Sequence, residues 1–133
     1  MKKMNPVIHF ELPAKERNRM TNFYSNVFGW QAEVLGPEMN EYVLVSTTVN
    51  GENGMPKNPG AINGGIFEKT KGMPNYPTIV IAVDNLDESI DLVKKSGGRV
   101  QGEPDMIPGV GRFVYFVDTE GNVTGMLQPA VMN

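Results

Sequence analysis

One pattern constrains this chain more than any other: two strand-then-helix stretches of matching outline recur about 70 residues apart, a domain-scale repeat rather than a solenoid. Pro6-Val7-Ile8-His9-Phe10-Glu11-Leu12 alternates as a strand and runs into an amphipathic stretch that ends near Phe28-Gly29. Pro77-Thr78-Ile79-Val80-Ile81-Ala82-Val83 does the same, with its helix ending near Ser96-Gly97. The copies differ in chemistry. Where the first carries His9 and Glu11, the second carries Val80 and Ala82.

Alternation of Val7, His9 and Glu11 with Ile8, Phe10 and Leu12 gives the first strand one more polar and one oily face. Met20, Phe23, Tyr24, Val27 and Phe28 then fall at helical spacing, with Lys15, Glu16, Arg17, Arg19 and Asn22 opposite and Gly29 as the stop. Strands are expected over 30–35, 42–47 and 62–68, the first two joined by a turn around Gly36-Pro37. In the second copy Asn85-Leu86-Asp87-Glu88 reads as a capping box, and Leu86, Ile90 and Val93, joined by Leu92, form the buried stripe. Short strands follow over 99–102, 112–118 and 123–128, the last two turned by Glu120-Gly121-Asn122. Loops are expected over 50–61, 70–77 and 103–111, all rich in Gly, Pro and Asn. The order is βαβββ twice: an α+β domain of two modules, about 6–69 and 77–129 with a linker over about 70–76, forming a mixed, cup-shaped, partly open sheet with helices on its outer face.

Composition narrows the function. A net charge of −3 offers no basic patch for phosphates, so nucleic acid is not an expected partner. No apolar run approaches the ~20 residues that cross a bilayer, and Met1-Lys2-Lys3-Met4-Asn5-Pro6 lacks the apolar region of a signal peptide, so no membrane partner and a cytoplasmic location are expected. The absence of cysteine removes disulfides, thiolate ligands and a cysteine nucleophile. Gly109-Val110-Gly111 opens no helix and is not a phosphate loop.

Three phrases carry a resemblance. Phe23-Tyr24-Ser25-Asn26-Val27-Phe28-Gly29-Trp30, Asp118-Thr119-Glu120-Gly121-Asn122, and the pairing of His9-Phe10-Glu11-Leu12-Pro13 with Asn63-Gly64-Gly65-Ile66 are similar to motifs of the vicinal oxygen chelate superfamily. That superfamily includes glyoxalase I, bleomycin-resistance proteins and extradiol dioxygenases. The last pair resembles one subgroup in particular. Thr119 departs from the family's usual Pro in the hairpin turn.

The resemblance implies a divalent metal held at four positions, which here are His9, Gly65, Val80 and Gly125. Glycine and valine offer no donor, and about three protein ligands are needed for a catalytic site. Neither a metal nor another cofactor is therefore expected. His9 and Glu11 are the candidate catalytic pair, since an imidazole titrates near neutral pH. His9, Asn63, Gly65, Phe67, Val80, Tyr42, Tyr115 and Gly125 are the candidate ligand contacts, Gly65 and Gly125 by enlarging the cavity. Trp30 adds aromatic surface. The leading expectation is a small organic molecule bound in the cup, either sequestered or subjected to proton transfer by His9. The alternatives are a metal-dependent lyase, isomerase or dioxygenase using His9 and Glu11, and a non-catalytic interaction module. A homodimer is expected from the resemblance alone.

Overall fold

The alternation in the first strand is realised as β1 (Val7–Ala14), and its two faces part as the pattern requires. A computed structural model describes residues 3–37, 41–70 and 72–130. Met1 and Lys2 of the amino-terminal stretch and Lys71 of the linker fall outside these. Two units emerge, one comprising His9–Pro77 and the other Met1–Ile8 with Thr78–Asn133. Residues 3–8 join the second unit: the Ala82 N–H donates to the Pro6 carbonyl at 2.9 Å and the Lys3 ammonium lies 3.0 Å from the Asp84 carboxylate.

In the first unit β1 is followed by α1 (Arg17–Phe28), β2 (Gln31–Val34), β3 (Val43–Ser46) and β4 (Asn63–Glu68). The strand order is β2-β3-β4-β1, with β1 parallel to β4 and the other pairs antiparallel. One face buries Ala14, Val43, Val45 and Ile66, against which Phe10, Leu12, Met20 and Trp30 pack. Gly29 ends α1 in the left-handed region (φ 73°), its N–H bonded to the Ser25 carbonyl. The expected apolar stripe of α1 is only partly used. Met20 reaches the core and Tyr24 stacks on Trp30 at 4.7 Å, but Phe23, Val27 and Phe28 are more than half exposed.

The second unit contains β5 (Thr78–Ala82), α2 (Leu86–Lys95), β6 (Arg99–Ile107), β7 (Gly111–Val117) and β8 (Val123–Pro129), with strand order β5-β8-β7-β6. The βαβββ order of the α+β fold is therefore present twice. Asn85 caps α2 by accepting from the Glu88 N–H at 3.0 Å, and Lys94 and Lys95 sit at the end that favours cations. The core here is Val83, Leu86, Val114 and Met126, with Ile90 and Val93 packed on it.

Two expectations need correction. Leu92 is not in the buried stripe but 44% exposed, because it sits a full residue off the Leu86–Ile90–Val93 line. Much of the loop expected over 103–111 is strand: β6 runs on to Ile107 through a register shift between Gln101 and Asp105. A bulge absorbs the irregularity that Gly102 and Pro104 introduce, so the ladder resumes beyond them. The turn at Glu120-Gly121-Asn122 forms as expected: the Asp118 carboxylate accepts from the N–H groups of Glu120 and Asn122 at 2.9 Å, and Gly121 has φ 88°. Among the described residues no helix is long and apolar enough to cross a membrane.

The Leu86 side chain is fully buried and Leu92 is not. Leu86→Ala should therefore cost about 2–5 kcal/mol in urea unfolding, and Leu92→Ala within about 1 kcal/mol. Equal losses would contradict this helix register.

Candidate functional site

The face of the first unit's sheet away from α1 carries its polar chemistry. In the β1–β4 register His9 lies beside Asn63, Glu11 beside Gly65, and Pro13 beside Phe67. Leu44 of β3 lies beside Gly65, so Tyr42, two residues earlier, belongs to the same face. The sequence motif Gly64-Gly65 is explained by what occupies the two sides of β4. A Cβ at Gly64 would overlap the Phe10 ring on the core face, and one at Gly65 would overlap the Tyr42 phenol on the polar face. Gly65 therefore does not enlarge a cavity, as the sequence suggested. It makes room for Tyr42.

That phenol joins the two candidate catalytic residues. The Tyr42 hydroxyl donates to the Glu11 carboxylate at 3.1 Å and lies 3.0 Å from His9 Nε2. With its one proton given to Glu11, Tyr42 can only accept from the ring, which puts the imidazole hydrogen on Nε2 and leaves Nδ1 as the acceptor. Glu11 is itself buried, 9% exposed, an unusual place for a carboxylate without such partners. Burial pushes the His9 imidazole down from 6.5 to about 4, so it is neutral at physiological pH.

A cavity of about 360 Å³ opens beside this relay, lined by Glu11, Arg17, Tyr42, Phe67, Glu68, Thr70 and Met73. Arg17 opens α1, where the helix dipole disfavours a cation, and no side chain caps that end. Its guanidinium is held by the Glu41 carboxylate at 2.8 Å and stands 3.8 Å from that of Glu68. Only 14% of the Arg17 side chain is exposed, although its place among polar residues of the helix had suggested a solvated one. The signal that could have found it is position: the residue opening the helix after β1 stands at the strand's carboxyl end, beside the cavity.

The remaining candidates have other employment. Asn63 accepts from the Thr47 N–H at 2.9 Å and donates to Asn50 at 2.7 Å, tying down the start of the 50–61 loop. In the second unit Val80, Gly125 and Tyr115 are direct neighbours across β5, β8 and β7. The space over Gly125 is filled by the Phe113 ring, which meets Tyr115 edge-on at 4.8 Å.

The family model for the Glyoxalase/Bleomycin resistance protein/Dioxygenase superfamily matches residues 7–125. The chain belongs to this superfamily. It is 32% identical over 118 residues to a glyoxylase-like domain-containing protein of Didymella fabae, a match covering 84% of each chain. Over 59 residues, 44% of its length, it is 39% identical to a candidate glyoxylase of Mycobacterium tuberculosis. The match spans only 23% of that mycobacterial protein. Its fold is that of a Streptomyces coelicolor methylmalonyl-CoA epimerase variant solved with 2-nitronate-propionyl-CoA, at a TM-score of 0.68 and 15% identity over 97% of this chain and all of that one.

The superfamily's metal positions can now be tested against these residues. Of the four, only His9 has a donor, and its Nε2 is hydrogen-bonded to Tyr42. The Gly65 position is covered by the same phenol and the Gly125 position by Phe113. Among the described residues no cluster of three or more His, Cys, Asp or Glu side chains converges as a divalent ion requires. The donor set does not fit the metal.

The lowered His9 pKa has a consequence for stability. The unfolded chain takes up a proton near 6.5 and the folded one only near 4, so stability is unaffected above 6.5 and falls as pH drops through that window. The loss should approach about 3 kcal/mol at full titration. His9→Gln should remove this component, read as the difference between urea unfolding curves of the two proteins from pH 7 to about pH 4.

Proposed function

We propose that the chain binds a small organic molecule in the cavity beside Tyr42, without a resident metal. The observation that carries this reading is a cavity of about 360 Å³ lined by Tyr42 and Glu11, which are hydrogen-bonded to each other, with His9 bonded to Tyr42 behind them. Such a volume suits a metabolite-sized ligand, and mixed apolar walls with a few fixed polar groups are what small-molecule sites present. Phe67 and Met73 supply apolar surface, while Tyr42, Glu11 and Arg17 supply direction and charge.

The chemistry favours retention over turnover. A general base works best with a pKa near the working pH, and an imidazole pushed down to about 4 is a weak one. His9 fits better as a neutral hydrogen-bonding partner that orients Tyr42. The glyoxylase-like relatives support a small-molecule role for the superfamily member without specifying its substrate. The subgroup carrying the H-F-E-L-P and G-G phrases is our reading of the residues in β1 and β4. Homodimerisation belongs to the same proposal, and sedimentation velocity reads it directly.

A native-mass and thermal-shift screen against a metabolite panel tests the binding reading. At least one organic compound should bind stoichiometrically, and Tyr42→Phe or Glu11→Gln should weaken it about tenfold, the worth of one buried hydrogen bond. Elemental analysis of the purified protein separates the main rival. A stoichiometric divalent ion there, with no organic ligand found, would favour the metal-dependent lyase, isomerase or dioxygenase reading.

A further inference from the structure

We infer that Tyr42 decides what this face can hold: its phenol occupies the volume of a donor at position 65 and its hydroxyl engages both neighbouring donors, His9 and Glu11. The inference rests on the metal-free reading above and adds the residue responsible for it. Removing that residue and placing a donor at 65 should make the face competent for a divalent cation.

Three observations carry it. The backbone at Gly65 is not in the left-handed region, so an ordinary side chain is conformationally allowed there. The three nearest atoms such a side chain would meet all belong to the Tyr42 phenol, the hydroxyl oxygen among them. Gly65 is therefore barred to a donor by a neighbouring side chain, not by its own backbone.

Second, the register places a donor at 65 in useful company. Gly65 pairs directly with Glu11, and His9 lies two residues back on the same face of β1. A histidine at 65 would complete two imidazoles and one carboxylate on adjacent strands, a set that holds first-row divalent metals with positions left open.

Third, the hydroxyl of Tyr42 sits between His9 and Glu11, 3.0 Å from His9 Nε2 and 3.1 Å from Glu11 Oε2. A cation seated among these groups would have to displace it. The residue precedes β3 (Val43–Ser46), and its main-chain carbonyl accepts from the Leu35 N–H at 2.8 Å. Truncating the side chain leaves that backbone bond in place.

The test titrates cobalt chloride into four proteins, wild type, Tyr42→Ala, Gly65→His and the double variant, by calorimetry and visible absorption. The double variant should bind one Co(II) about 100-fold more tightly than the wild type, with ligand-field bands that His9→Gln in the same background abolishes. Gly65→His alone should gain little. Equal binding by Gly65→His and the double variant would overturn the role of Tyr42, as would a cooperatively melting double variant that binds no better than wild type. If the double variant does not fold, Gly65→Asp with and without Tyr42→Ala gives the same contrast. Co(II) uptake only when Tyr42 is also removed supports the inference, and equal uptake sinks it. Tight, stoichiometric Co(II) binding by the wild type would instead overturn the metal-free reading itself.

Discussion

The architecture of the polar face depends on two adjacent positions in β4 that carry no side chain. Successive residues of a strand point to opposite faces, so Gly64 and Gly65 open one slot on each side. The Phe10 ring takes the slot on the core side and the Tyr42 phenol the slot on the other. Packing in a protein interior leaves no room for both a ring and a methyl in such a place. One dipeptide thus links the hydrophobic core of the first unit to the geometry of its candidate site.

Electrostatics sets this site apart from its counterpart. In the second unit α2 follows every local preference, with a side-chain cap, acids at its start and lysines at its end. In the first, α1 begins with a cation, has no side-chain cap and carries no acid in its first turn. Arg17 is kept there by Glu41 and Glu68, residues far from it in sequence. Breaches of local rules that are compensated from a distance concentrate at functional positions, and this one borders the cavity.

The two βαβββ units carry different chemistry at matching positions. Val80 and Ala82 hold the strand positions of His9 and Glu11, and the rings of Phe113 and Tyr115 cover the sheet beside Gly125. Aromatic filling on one face and a hydrogen-bonded relay on the other are two ways of satisfying a strand surface. The relay brings Tyr42 and Glu11 to the edge of the cavity.

Much of this was legible in the chain. Periodicity located the strands and both helices, Asn85 and Gly29 marked helix ends, and the alternation along β1 assigned His9 and Glu11 to the face away from α1, because these signals act over a few neighbouring residues. Leu92 is exposed rather than buried, and Phe23 and Val27 keep their helical spacing yet stay more than half exposed, since spacing shows that a stripe exists but not how much of it a neighbouring element covers. Gly65 and Arg17 were beyond local reasoning altogether. Whether an absent side chain leaves a hollow or a berth for a ring, and whether a polar helix residue is solvated or paired, depends on residues that only folding brings alongside.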